Sequence, residues 1–212
     1  MEGRTRIKIC GMTEKVAIQE AVAAGVDALG FIFAPASSRR VQPEVVRELV
    51  ASLPPFVDTV GVFYNQEAGL IREIVEYCRL TMVQLHGDED PEFCAALPVR
   101  VLKAIRIGSH SRAADLGAYR GRACGLLLDT YQPQQAGGTG QTFDWNLVAQ
   151  LAPPAPVVLA GGLDPFNVAE GIERVRPFAV DFNSGLENAP GRKDSTLIRQ
   201  AVAAVRRADN LL

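Results

Sequence analysis

RIKICGMTEKVAIQEAVAAG, residues 6–25, changes its period partway along. The first five residues alternate, with Ile7 and Ile9 on one side and Lys8 and Cys10 on the other, as a half-buried strand does. From Thr13 onward Val16, Ile18, Ala21, Val22 and Ala24 recur near every 3.6 residues and Gly25 stops the run, the pattern of an amphipathic helix. A strand passing directly into a helix is one βα unit.

The unit recurs. Further β-rich runs lie at 27–33 (DALGFIF), 57–63 (VDTVGVF), 81–86 (TMVQLH), 99–105 (VRVLKAI), 123–129 (ACGLLLD), 156–160 (PVVLA) and 178–183 (FAVDFN), each followed by a helical pattern. Thr13 is the expected N-cap of the first helix, and Asp90 before Pro91, Asp164 before Pro165, and Asp194 are the expected caps of later ones. Eight units in 212 residues reach the lower size limit of an α/β eight-stranded (βα) barrel, a TIM barrel, whose chemistry sits on the loops after the strands. One domain over residues 1–212 is expected. The alternative, a doubly wound open sheet, calls for a G-x-G-x-x-G after the first strand, and here the anion-binding signals come last instead.

Composition narrows the function. With 48% apolar and 22% charged residues and a formal net charge of −2, the chain has no basic field to attract nucleic acid or anionic lipid. It shows no signal-peptide core, and no run approaches the ~20 apolar residues that span a bilayer. A cytoplasmic protein acting on a small molecule is expected, with neither nucleic-acid nor membrane partners, as a monomer with a homodimer left open. The cysteines, Cys10, Cys78, Cys94 and Cys124, form no C-x-x-C pair, and His86 and His110 bring no ligand cluster with them, so neither disulfides nor a metal are expected.

Two glycine-bearing turns follow the last two strands, LAGGLDP (159–165) and FNSGLENAPGRKD (182–194). Glycine lets backbone N–H groups approach an anion, and this barrel architecture often builds a phosphate site there. Gly161, Gly162, Ser184 and Gly185 are the candidate phosphate residues, against the simpler reading of two tight turns. A phosphate at that end makes a sugar phosphate the expected substrate.

At the chemical end, Cys10 is the last inward-facing residue of the first strand. Its ordinary pKa of ~8.5 leaves a minor thiolate fraction at neutrality, so a catalytic role needs help from the surroundings. The other three cysteines read as packing residues. Asp129 ends the sixth strand with the inward parity of Leu127 and precedes the long loop 130–145. As a general acid its carboxyl, ordinarily ~3.9, needs about 4 kcal/mol of differential destabilisation of the carboxylate, a magnitude that burial supplies. The glycine-rich residues 137–140 are a candidate lid. Arg39 and Arg40 follow the second strand, where a guanidinium fork can hold a substrate carboxylate.

Together, KICGMT (8–13), GFIFAPASSRRV (30–41), VQLHGDE (83–89), LLLDT (126–130), GGTGQTFDW (137–145), LAGGLDPFNV (159–168) and VDFNSGLENAPGRKD (180–194) resemble the phosphoribosylanthranilate isomerases of tryptophan biosynthesis. The resemblance implies a ribulose-phosphate-binding type of barrel. It implies an Amadori rearrangement of N-(5'-phosphoribosyl)anthranilate to 1-(2-carboxyphenylamino)-1-deoxyribulose 5-phosphate, without metal or cofactor. It places the family's general base on Cys10, its general acid on Asp129, and its arginine for the anthranilate carboxylate on Arg39. Two positions depart from the family pattern: Ser38 stands where proline usually precedes the arginine, and Asn183 where serine is common.

One expectation is independent of the resemblance. Lys8 points inward one pleat below Cys10, Asp181 shares the inward parity of Asn183, and the first and eighth strands become neighbours when a barrel closes. A buried Lys8–Asp181 ion pair is therefore expected, its positive end favouring the Cys10 thiolate. Two rival readings keep the barrel: a different sugar-phosphate reaction, such as the ring closure of indole-glycerol-phosphate synthase, and a non-catalytic phosphate-binding barrel. The first needs several lysines and glutamates at strand ends, of which Lys103 alone stands out.

Overall fold

The computed structural model describes residues 3–108, 110–130 and 144–211. Within them eight parallel strands close into a barrel in chain order. They are β1 (Arg6–Ile9), β2 (Ala28–Ile32), β3 (Asp58–Phe63), β4 (Met82–Leu85), β5 (Arg100–Ile107), β6 (Gly125–Thr130), β7 (Val157–Leu159) and β8 (Ala179–Phe182). The helices between and after them are α1 (Lys15–Ala24), α2 (Pro43–Ala51), α3 (Ala68–Cys78), α4 (Pro91–Ala96), α5 (Ala113–Gly117), α6 (Asn146–Leu151), α7 (Val168–Val175) and α8 (Ser195–Asp209). The barrel closes through β1 and β8, where Lys8 pairs in register with Asp181.

Strand alternation sorts the core into two sides. Ile7, Ile9, Leu29, Phe31, Phe63, Leu85, Leu126, Leu128, Val180 and Phe182 face the helices and are buried among them. Each such side chain stabilises the fold by about 1.5–3 kcal/mol. The opposite parity fills the interior, with a floor of Leu102, Ala104, Leu127, Val158, Ala160 and Ala179. Above the floor the same parity becomes polar: Lys8, Gln84, Asp129 and Asp181 are all buried. Apolar residues thus plug the bottom of the barrel, and charge collects at the end where the strands finish.

Helix ends follow local chemistry in some places and tertiary demand in others. Asp90 Oδ1 accepts the Phe93 N–H at 2.7 Å, and Asp194 Oδ1 accepts those of Thr196 and Leu197 at 2.7 and 3.1 Å, as expected of N-caps. Thr13 does not cap α1. Its hydroxyl donates instead to the Gly191 carbonyl at 2.6 Å, and the helix starts after Glu14. Asp164 accepts the Phe166 and Asn167 N–H groups at 2.7 and 3.0 Å, capping a turn, while α7 begins only at Val168.

The loop after β8 carries structure of its own. Ser184–Leu186 form a single 3-10 turn, after which β9 (Glu187–Ala189) and β10 (Arg192–Lys193) pair as an antiparallel hairpin. That hairpin reaches back to the chain after β1, which is why Thr13 is drawn away from its cap. Among the described residues no helix is long and apolar enough to cross a membrane. Among the described residues the most exposed large apolar side chains, Phe56 at 99%, Leu211 at 88% and Phe166 at 85%, lie outside the helices and strands.

Candidate active site

Cys10 follows the last residue of β1 and continues the ladder by donating its N–H to the Phe182 carbonyl at 2.8 Å. Its side chain packs with Ile32 and Val62 inside the barrel. Gly30 on β2 makes the room: a Cβ there would lie 2.8 Å from Cys10 Sγ and 3.2 Å from Lys8 Nζ. A thiol ends the strand because the strand delivers it to the open end of the barrel, against a neighbour without a side chain.

Lys8 Nζ meets Asp181 Oδ2 at 2.7 Å, with both side chains nearly inaccessible, at 5% and 6% exposure. This is the ion pair expected from strand parity and barrel closure. Burial works against the ammonium, but Asp181 and Cys10 outweigh it and raise Lys8 above the ordinary lysine range. For Cys10 itself burial dominates and pushes the thiol up, with Lys8 and Lys193 pulling the other way. The expected direction of Lys8's influence holds, but it does not overcome desolvation.

Asp129 is buried at the end of β6. Its Oδ1 accepts the Thr130 N–H at 2.8 Å and its Oδ2 faces His86 Nε2 at 3.1 Å. Asp181 is electrostatically coupled to Cys10, to Asp129 and to His86, so the thiol and the carboxyl open onto the same end of the barrel around it. The glycine-rich residues 137–140, expected as a lid, lie outside the described residues.

The two phosphate-loop candidates stand side by side after β7 and β8. Gly161 has φ +82°, and a Cβ on it would lie 2.3 Å from Thr130 Oγ1 and 2.9 Å from Asp129 Oδ1. Only glycine fits there, so the candidate phosphate loop abuts Asp129 directly. Gly162 also has positive φ, at +67°. Ser184 and Gly185 open the 3-10 turn, with Gly185 packed against the Leu163 carbonyl of the other loop. A short extra helical turn after the eighth strand is the usual anion-binding device of this architecture.

The two arginines separate cleanly. Arg40 is exposed, whereas the Arg39 side chain lies over Gly11, within 3.0 Å of a Cβ built there. Arg39 makes a two-pronged pair with Glu187, Nε to Oε1 and Nη2 to Oε2 at 2.8 Å each. Lys193 Nζ reaches the same carboxylate at 2.7 Å, with the Asn183 carbonyl at 3.0 Å and Asn183 Oδ1 at 2.9 Å. Burial alone would raise the Glu187 carboxyl, but its bonds from Arg39 and Lys193 prevail and hold it below the ordinary range. Two cations sharing one carboxylate leave a positive surplus beside Cys10.

Four residues at this mouth, His86, Arg106, Glu187 and Lys193, were not singled out by sequence pattern. His86 directly follows β4 and keeps the inward parity of Gln84 and Met82, a signal that parity counting would have caught. Arg106, level with Asp129 on the adjacent strand, lies over the Tyr64 ring at 5.6 Å, and its Nη2 is buried with no hydrogen-bond partner among the described residues. The Glu187–Lys193 clasp had no local signal at all. Lys103, by contrast, faces outward. Its Nζ bonds to Glu89 Oε2 at 2.8 Å and to the Gly87 carbonyl at 2.6 Å, while Glu89 accepts the Asn65 and Gly87 N–H groups at 2.8 and 2.9 Å. It braces the turn that carries His86 and brings no lysine into the barrel for a ring-closing reaction.

A family model described as N-(5'phosphoribosyl)anthranilate (PRA) isomerase matches residues 7–204. The N-(5'-phosphoribosyl)anthranilate isomerase of Geobacter metallireducens is 48% identical over 197 residues, covering 93% of this chain and 96% of that one. The phosphoribosyl anthranilate isomerase from Thermotoga maritima superposes with a TM-score of 0.87 at 40% identity, over 96% of this chain and 99% of that one. A phosphoribosyl anthranilate isomerase solved in complex with reduced 1-(o-carboxyphenylamino)-1-deoxyribulose 5-phosphate superposes at 0.84 with 38% identity, over 96% and 99%. With sequence, barrel and match agreeing over nearly its whole length, the chain belongs to the N-(5'-phosphoribosyl)anthranilate isomerase family.

Proposed function

We infer that the chain catalyses the Amadori rearrangement of N-(5'-phosphoribosyl)anthranilate to 1-(2-carboxyphenylamino)-1-deoxyribulose 5-phosphate, with Asp129 as general acid and Cys10 as general base. The observation that carries this reading is the shared mouth of the barrel: a buried thiol, a buried carboxyl, and glycine loops whose Gly161 abuts that carboxyl. A sugar phosphate anchored by Gly161, Gly162, Ser184 and Gly185 extends its ribose over Asp129 and then toward Cys10.

Asp129 protonates the furanose ring oxygen. The C1–O bond breaks as the anilino nitrogen pushes its lone pair toward C1, giving a Schiff base. The Cys10 thiolate then takes the proton from C2, and the electrons move into a C1–C2 double bond as the nitrogen is neutralised. The enolamine becomes the ketone by moving a proton from the C2 hydroxyl to C1. One proton enters at the ring oxygen and one leaves from C2, so the product is an isomer. Lys8 and Lys193 counter part of the desolvation of the thiolate. Arg39, with Nε and Nη2 engaged by Glu187, presents Nη1 to the anthranilate carboxylate. Asp181 Oδ1 and Arg106 Nη2, both buried without a partner among the described residues, are ready to meet substrate polar groups.

Loss of substrate fluorescence on adding enzyme tests the activity. Cys10→Ser and Asp129→Asn are each expected to reduce kcat by about 10²- to 10⁴-fold. Full activity in both variants would remove the acid–base assignment while leaving the fold. We take residues 1–212 as one domain, since the described residues close one barrel. The four free cysteines fit the reducing conditions of the cytoplasm.

A further inference from the structure

The turn after β4 sets an imidazole against the acid, and the reaction as written gives it no part. His86 Nε2 lies 3.1 Å from Asp129 Oδ2, and His86 Nδ1 lies 2.8 Å from Gln84 Nε2. The three side chains share interior parity. Between β4 and β6, β5 contributes the small interior residue Ala104, which leaves the imidazole a way across to the carboxylate.

An amide nitrogen can only donate. With Gln84 Nε2 donating to Nδ1, the ring proton sits on Nε2 and points at Asp129; with the amide reversed, Nδ1 carries the proton. The other end of that amide, Gln84 Oε1, is buried with no hydrogen-bond partner among the described residues. A half turn of the amide exchanges its ends and brings Oε1 to Nδ1, where it accepts an N–H. Gln84 can satisfy the ring whether Nδ1 is bare or protonated, and only the second arrangement relieves its own buried oxygen.

We propose that His86 and Asp129 hold the catalytic proton jointly, with His86 as positioning residue and proton store and Gln84 as the amide that turns when the proton arrives or leaves. This rests on Asp129 being the general acid. In the loaded pair Nδ1–H donates to Gln84 Oε1, and the second proton lies between Nε2 and Asp129 Oδ2. Asp129 passes that proton to the ring oxygen as the C1–O bond breaks. The imidazole keeps one proton, and its transfer through solvent to Nε2, with the amide turning back, gives the unloaded arrangement described above. Cys10 meanwhile holds the proton from C2, and exchange with solvent resets both groups. Of the charged and titratable groups, Asp129 on β6 and Asp181 on β8 act on the imidazole; Lys8 pairs with Asp181, which also acts on Cys10 after β1, and Arg106 on β5, level with Asp129, lies over Tyr64 after β3.

The chain has two histidines, so the nitrogen-15 spectrum of the labelled full-length protein resolves both rings. His86 is expected as the Nε2–H tautomer at alkaline pH, and in Asp129→Asn this tautomer is expected to give way to a mixture while the His110 ring signals are unmoved. In His86→Asn, kcat is expected to fall about 10- to 100-fold at near-constant KM, and the alkaline falling limb of kcat/KM to move toward acid. Gln84→Met, which keeps the ring, is expected to move the same limb less far. An Nδ1–H ring at alkaline pH, a His86 tautomer indifferent to Asp129→Asn, or a His86→Asn rate lost evenly at all pH values would overturn the proposal. Full activity in Asp129→Asn would instead sink the assignment of the acid, whatever the histidine does.

Discussion

Gly30→Ala places one methyl group where the thiol now sits. The added carbon would lie 2.8 Å from Cys10 Sγ, 3.1 Å from Cys10 Cα and 3.2 Å from Lys8 Nζ. Non-bonded carbon contacts settle at about 3.5–4.0 Å, so the sulfur must retreat by roughly 1 Å. It cannot do so by a free rotation, because Ile32 and Val62 pack around it and Lys8 is held by Asp181. Overpacking of this kind costs about 1–3 kcal/mol, and displacing a reacting atom by about 1 Å costs about 10²-fold in rate. At roughly 2–4 °C per kcal/mol for a chain of this size, Tm should fall by about 2–12 °C. The assay is kcat from substrate fluorescence at a temperature where both proteins are folded. Gly61→Ala is the control, since its added carbon would lie 2.6 Å from Leu80 Cδ1 on the outer face of β3, away from the mouth. It should lower Tm comparably with kcat intact. Wild-type kcat in Gly30→Ala, or equal rate losses in the two variants, would refute the reasoning.

Lys8→Met leaves the Asp181 carboxylate buried without its partner, which is expected to destabilise the fold by about 3–5 kcal/mol in chemical denaturation. It also removes a cation that lowers the Cys10 thiol, so in a Cys124→Ser background the thiol should titrate at higher pH; unaltered stability and titration together would dismiss the pair's role. Glu187→Gln strips the shared carboxylate from Arg39 and Lys193, both of which then lack their countercharge beside Cys10. Because the folded carboxyl is held below its unfolded value, its contribution is present above the ordinary glutamate pKa and lost as pH falls through the folded value. The variant should therefore be less stable at neutrality and show a shallower loss of stability below about pH 4.5; an unchanged acid dependence would exclude this account.

Much of the barrel was written in one-dimensional pattern. Alternation in RIKIC fixed which side of β1 carries Lys8 and Cys10, and the same count at Asp129 and Asp181 aimed both inward. Closure of eight parallel strands then made β1 and β8 neighbours, which is why the Lys8–Asp181 pair could be expected from residues 173 apart. His86 was within reach of the same count but lacks the strand-end signature of a nucleophile. Thr13 shows the limit of local chemistry: a sound cap residue gave its hydroxyl to a carbonyl 178 positions away.

Period and parity are properties of neighbouring residues, so the sequence by itself determined the strands, the helices, and which side of each strand meets the helices and which the barrel interior. Only the closed structure decided which inward groups touch. The hairpin after β8 seats Glu187 between Arg39 and Lys193, and β4 and β6 bring His86 to Asp129 across an intervening strand. Those contacts depend on loop paths and on how far a ring reaches over Ala104, distances that exist only after the barrel has closed.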